Sequence, residues 1–170
     1  AAIGQVVYGA ESDDLAAVVL DQLRAHGMTI AVAESCTGGL LGGRITAIPG
    51  SSHFFLGGVI AYSNEVKATH LGVGDNTLIA HGAVSEETAR EMALGVRARY
   101  RADVAVSITG IAGPGGGTPE KPVGTVCVAV DVRGDVKSAK RQMVGDRAEV
   151  RERSAQWALD LLRRQLVATN

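Results

Sequence analysis

Met28-Thr29-Ile30-Ala31-Val32-Ala33-Glu34-Ser35-Cys36-Thr37-Gly38-Gly39 runs from an apolar segment directly into a polar, glycine-containing turn, and a helical pattern follows. Together these read as strand, turn and helix. Such a turn presents a hydroxyl, a thiol and several free backbone N–H groups at a helix N-terminus, a good place to hold an oxyanion or a phosphate. The junction suggests an active site, and the rest of the chain is read for partners to Ser35.

Upstream, Ser12-Asp13-Asp14 opens a helix with Leu15, Val18, Val19 and Leu23 on one face and Gly27 as its stop. Downstream, residues 38–48 read as a short helix ended by Pro49-Gly50, 57–62 as a second strand and 64–71 as a short helix stopped at Gly72. Ser85 is an N-cap followed by Glu86 and Glu87, and its helix carries Ala89, Met92, Ala93, Val96 and Tyr100 at helical spacing. Residues 104–109 are a third buried strand. The stretch 110–122 is irregular, rich in glycine and proline. Residues 123–132 and 136–144, joined through Arg133-Gly134-Asp135, are expected to form an antiparallel hairpin. A last helix covers 146 to about 167, with Asp146 and Glu149 in a capping-box-like start.

Strands alternating with helices, plus one hairpin, predict an α/β fold: a three-layer α/β/α sandwich on a mixed, mostly parallel sheet. The 170 residues fit a single domain, 1–170, with no repeat or linker. A formal net charge of -1 gives no nucleic-acid footprint, and no apolar run approaches the ~20 residues of a membrane span. The first ten residues lack the pattern of a signal peptide. Cys36 and Cys127 fit no metal spacing and read as reduced thiols of a cytoplasmic protein. No metal and no cofactor is expected.

Ser35 needs a base. His26, His53, His70 and His81 lie in no motif. Lys67, in Tyr62-Ser63-Asn64-Glu65-Val66-Lys67, falls in the first turn of its helix if Asn64 is the cap. The positive helix end and partial burial there favour the neutral amine, which accepts a proton. The alternative is an exposed lysine paired with Glu65 or solvent. Tyr62 either donates to the Ser35 oxygen, orients Lys67, or merely ends a strand. Glu34 either binds a sugar hydroxyl or caps the helix. Thr37, Gly38 and Gly39 are expected to aim N–H groups at a developing oxyanion. Cys36 is the rival nucleophile, and which of Ser35 and Cys36 faces the pocket stays open. Thr109-Gly110-Ile111-Ala112-Gly113-Pro114-Gly115-Gly116-Gly117 follows a strand and can form an anion nest or be a plain connection. Arg147 and Arg151 share a helix face and either grip a phosphate, that of a ligand in a neighbouring subunit included, or pair with Glu149, Glu152 or other surface acids.

Taken together, the segments Ala33–Gly39, Pro49-Gly50-Ser51-Ser52, Tyr62–Lys67, Gly82-Ala83-Val84-Ser85, Thr109–Gly116, Lys121-Pro122-Val123-Gly124 and Gly145-Asp146-Arg147 resemble, in order and across almost the whole chain, the CinA C-terminal domain family, the nicotinamide-mononucleotide deamidases (also called PncC). The resemblance implies hydrolysis of the carboxamide of nicotinamide mononucleotide to nicotinic acid mononucleotide and ammonia. It places the nucleophile on Ser35 and the lysine and tyrosine on Lys67 and Tyr62. Glu34, Thr37, Gly38, Asn64, Thr109, Gly110, Gly113, Gly115, Gly116 and Arg147 are then expected to bind the pyridine nucleotide, with no nucleic-acid or membrane partner. A homo-oligomer is the expected state. Lacking the larger N-terminal domain of CinA proteins, the chain reads as a stand-alone deamidase or an excised domain.

Overall fold

The computed structural model describes residues 14–168. Strands β1 (Ile30–Glu34), β2 (Phe55–Ile60), β3 (Val104–Gly110), β4 (Thr125–Val132) and β5 (Asp135–Gln142) form one sheet in the order β2-β1-β3-β4-β5. β1 pairs in parallel with β2 and β3, while β4 runs antiparallel to β3 and to β5. Only β4 therefore runs against the other four, and the sheet is mostly parallel in strand direction but evenly divided in its pairings. The expected hairpin forms between β4 and β5, with Val132 opposite Asp135. Its two linking residues, Arg133 and Gly134, both take positive φ, as a tight primed turn demands.

Helices cover both faces of the sheet, as the sandwich requires. Helices α1 (Leu15–His26), α2 (Leu40–Thr46) and α6 (Arg147–Ala168) pack on one face; α3 (Asn64–Leu71) and α5 (Glu86–Tyr100) pack on the other, with α4 (Asp75–His81) against α5. The period-2 alternation of the strands sorts side chains by size. Ile30, Val32, Val104, Val106, Ile108 and four valines of β4 meet α1 and α6. Ala31, Ala33, Ala105, Cys127 and Ala129 meet α5. Small residues there let α5 lie close, and Ser107 Oγ donates to the Ala89 carbonyl at 2.6 Å across that gap. α3 in turn lies directly on α5: a Cβ added at Gly95 would stand 1.8 Å from the Leu71 carbonyl oxygen.

Several element ends differ from the sequence expectation. Asp14 is the cap of α1, its Oδ1 accepting from Ala16 N, while Ser12 and Asp13 lie outside the described residues. α2 starts at Leu40 because Gly38 and Gly39 take φ of 61° and 97°, outside the helical region. β2 begins two residues early, at Phe55, since Phe54 O accepts from Ile30 N, and it skips a register position at Leu56. Ser63, not Asn64, caps α3. α4 has no counterpart in the sequence expectation: none of its residues is buried, so it carries no apolar periodicity. The capping box of α6 forms as expected, Asp146 N donating to Glu149 Oε2 and Glu149 N to Asp146 Oδ1.

At the edge of the sheet, Tyr100 of α5 reaches over β2 and its hydroxyl donates to Gly58 O at 2.9 Å. Among the described residues no helix is long and apolar enough to cross a membrane.

Candidate active site

The helix after β1 goes to one face of the sheet and the helix after β2 to the other. A crevice opens between such strands at their carboxyl ends, where open α/β sheets place their ligands. Ser35 is the first residue beyond β1. Its N–H still donates to Ile108 O of β3 at 2.9 Å, and the preceding Glu34 O accepts from Ala61 N at 2.7 Å. Both neighbouring strands thus hold the peptide that carries the hydroxyl.

Lys67 enters from α3 with its side chain buried, only 1% exposed. Its Nζ lies 3.1 Å from Ser35 Oγ, 2.7 Å from Ala61 O and 3.4 Å from Tyr62 O. No carboxylate pairs with it among the described residues. Burial away from water disfavours the ammonium and pulls its pKa below the ordinary lysine range. A neutral amine fits the three partners: two N–H donors for the two carbonyls, and a lone pair for the Ser35 O–H. Of the two readings of Lys67, exposed or buried beside Ser35, the structure has the buried one.

Cys36 lies in the same wall, but burial pushes its thiol up to about 12. A thiol this far from ionising is a poor nucleophile near neutrality.

Ser35, Cys36, Tyr62, Asn64, Lys67, Thr109, Gly110, Gly113, Gly115, Gly116 and Arg147 all line one cavity of about 280 Å³, joined by Ala83, Val84, Ile111 and Ala112. No acidic side chain is in that lining. The glycine-rich stretch is therefore a wall of the cavity. Gly110 must be small: a Cβ there would stand 2.9 Å from Thr125 O and 3.1 Å from Cys36 Sγ. Thr109 uses its hydroxyl structurally, donating to Ala83 O at 2.7 Å.

Arg147 lines this cavity within its own chain. Its Nη1 donates to Gly113 O at 2.6 Å and its Nη2 to Tyr62 Oη at 3.0 Å. The Tyr62 phenol, 61% exposed, accordingly neither donates to Ser35 nor touches Lys67; the backbone carbonyl of Tyr62 does the latter. Arg151 turns to the other side of the turn, where Nη2 donates to Thr37 O at 2.9 Å.

Three expected binding residues fall outside the cavity lining. Glu34 points into α2, and of its two expected roles it takes that of helix cap. Gly38 N donates to Ser35 O at 3.0 Å, and Gly39 N donates to Glu34, so neither amide is free for an oxyanion. Thr37 is fully buried with its hydroxyl unpaired. Among the described residues, the amides of Cys36 and Thr37 are the ones in this turn that donate to no oxygen of the protein. The carbonyls of Ala61 and Tyr62, which hold the lysine, are invisible in a sequence because any residue supplies them. None of the four histidines lines the cavity. A larger cavity of about 680 Å³ lies over α6 between Arg141 and Trp157, and brings no nucleophile and base together.

The CinA C-terminal domain family model matches residues 12–166. A CinA-like protein of Gemmatimonas aurantiaca is 59% identical over 162 residues, 95% of this chain and 38% of that protein. A CinA-like protein of Kosmotoga olearia is 50% identical over 165 residues, 97% of this chain and 40% of that protein. The chain thus spans about two fifths of the length of these curated relatives. Among solved structures, a competence-damaged protein (CinA) superfamily member from Klebsiella pneumoniae superposes with a TM-score of 0.88 at 36% identity, covering 91% of this chain and 96% of that one. The competence/damage inducible protein CihA from Agrobacterium tumefaciens gives 0.86 at 42% identity, covering 92% and 96%. With nearly its whole length matched in both sequence and fold, this chain belongs to the CinA C-terminal domain family.

Proposed function

We propose that the chain is an amidohydrolase that converts nicotinamide mononucleotide to nicotinic acid mononucleotide and ammonia, with Ser35 as nucleophile and Lys67 as base. The observation that carries this reading is the buried 3.1 Å contact between Lys67 Nζ and Ser35 Oγ, made by a lysine with no carboxylate partner among the described residues. A serine hydroxyl needs an adjacent base to attack a carbonyl, and a desolvated lysine is one.

In the first half-reaction neutral Lys67 takes the Ser35 proton while Oγ bonds to the carboxamide carbon. The developing oxyanion is met by the amide of Cys36, a residue of the cavity wall. Lys67, now an ammonium, gives its proton to the departing nitrogen, and ammonia leaves an acyl-serine ester. Water then attacks that ester, Lys67 accepts the water's proton and returns it to Ser35 Oγ, and the acid is released. The cavity suits an anionic substrate: Arg147 sets a guanidinium in its wall, no carboxylate opposes it, and the 109–117 loop lets backbone approach closely. Asn64 at the mouth is assigned to substrate as well.

The test is ammonia release from nicotinamide mononucleotide by wild type and by Lys67→Ala, with chelator present. Turnover by wild type that disappears in the variant supports the reading. A folded wild type that releases no ammonia overturns it.

A further inference from the structure

The carboxylate of Glu34 is 1% exposed, adjoins the nucleophile in sequence and has no part in the reaction proposed above. Its Oε2 accepts from Gly39 N and Leu41 N, both at 3.1 Å, and its Oε1 from Gly42 N at 2.8 Å. α2 has no cap of its own, since its cap residue is Gly39, without a side chain. The cap is supplied from five residues upstream, across the whole nucleophile turn. A Cβ at Gly42 would already stand 3.4 Å from Oε1, so the fit is close.

Strand alternation explains the arrangement. Glu34 keeps phase with Ile30 and Val32 and points to the α2 face; Ser35 keeps phase with Ala31 and Ala33 and points to Lys67. The turn is stretched between an anchor on each side of the sheet. Three amides that would otherwise face water or ligand are consumed by one carboxylate. Of the two that donate to no oxygen of the protein, that of Cys36 follows the nucleophile directly in the cavity wall, while Thr37 is fully buried.

We infer that Glu34 is a positioning residue: by capping α2 from the end of β1 it fixes the 35–39 turn, so that the Cys36 amide is aimed at the oxyanion before substrate arrives. The inference rests on the proposed amidase reading. A misplaced donor costs rate and not affinity, because the oxyanion exists only in the transition state. In Glu34→Gln an NH₂ replaces one oxygen and opposes an N–H donor, which disturbs the turn at constant volume.

The test measures steady-state ammonia release and amide hydrogen exchange on the full chain, in wild type and Glu34→Gln, with Glu34→Asp as the second variant should the first not fold. The expected result is a kcat lower by about 10²-fold with KM for nicotinamide mononucleotide little changed. Exchange at Gly39, Leu41 and Gly42 should accelerate by more than exchange in the central strands, which marks the loosening as local to the turn. Unchanged kcat despite faster exchange overturns the inference, as does unchanged exchange. A raised KM with kcat intact also overturns it, since that places Glu34 on the substrate. If wild type releases no ammonia the amidase reading falls by itself, and the exchange data still decide whether Glu34 holds the turn.

Discussion

Gly95 of α5 rests against the carbonyl of Leu71 at the end of α3, so closely that an added Cβ would stand 1.8 Å from that oxygen. α3 carries Lys67, and the depth of this contact sets how far the lysine reaches toward Ser35. Gly95→Ala is therefore expected to push the helices apart, lower stability by roughly 3 kcal/mol and reduce activity as well. Chemical denaturation and ammonia release on the same preparation check both effects. Loss of stability with full activity would separate the helix contact from the site.

Removing either member of the serine–lysine pair should cost on the order of 10⁴-fold in kcat, and removing both should cost little more, because the two act as one unit. Steady-state kinetics of Ser35→Ala, Lys67→Ala and the double variant test this. Additive losses would mean that the two residues act separately.

The pH dependence has a definite sign. Lys67 works as the neutral amine, and burial lowers its pKa. Activity should fall toward acid as the amine protonates, with a midpoint below the ordinary lysine range. The same shift has a stability consequence. The unfolded chain binds the lysine proton at higher pH than the folded one, so stability should rise with pH between the folded and unfolded pKa values. Lys67→Met should lose that part of the slope. Denaturation at a series of alkaline pH values checks it.

Cys36 offers a contrast in the same wall. With its thiol pushed up to about 12, it should resist alkylation at neutral pH. Cys36→Ala should keep activity within about tenfold of wild type, through small shifts in packing alone. Strong inhibition by a thiol reagent that persists in Ser35→Ala would reassign the nucleophile.

Arg147 donates to Gly113 O and Tyr62 Oη and still has N–H groups to spare. Arg147→Lys keeps the charge but cannot span both acceptors, and KM is expected to rise about 10- to 100-fold. Initial rates over a range of substrate concentrations would show it. A change in kcat alone would argue for a role in the chemistry instead of in binding.

The sequence made the central strand, its turn and the flanking helices legible, because apolar runs, caps and glycine stops carry the signal. The pairing of Ser35 with Lys67 was open, since 32 residues separate them and only strand order brings β2's exit beside β1. Tyr62 could be located but not oriented: its phenol turned to Arg147, a partner 85 residues away. The dual reading of Glu34 could not be resolved from type and spacing, as a carboxylate suits a sugar hydroxyl and a helix N-terminus equally. α4 stayed hidden because an exposed helix need not be periodic.

The hydroxyl of Tyr100 on Gly58 O has a bearing on how the molecule behaves in company. β2 is a sheet edge with Leu56 and Ile60 exposed and no charged residue. Alternate residues of a parallel edge strand aim their polar groups outward. Ala61 donates inward to Glu34 O, which sets Gly58, three residues back, facing out. That outward carbonyl is the one Tyr100 occupies, beside the irregular register at Leu56. The opposite edge, β5, is guarded by Lys137, Lys140 and Arg141. Charge thus guards one margin, while on the other a single phenolic oxygen occupies one outward carbonyl, and losing it should leave the β2 edge more open to strand addition.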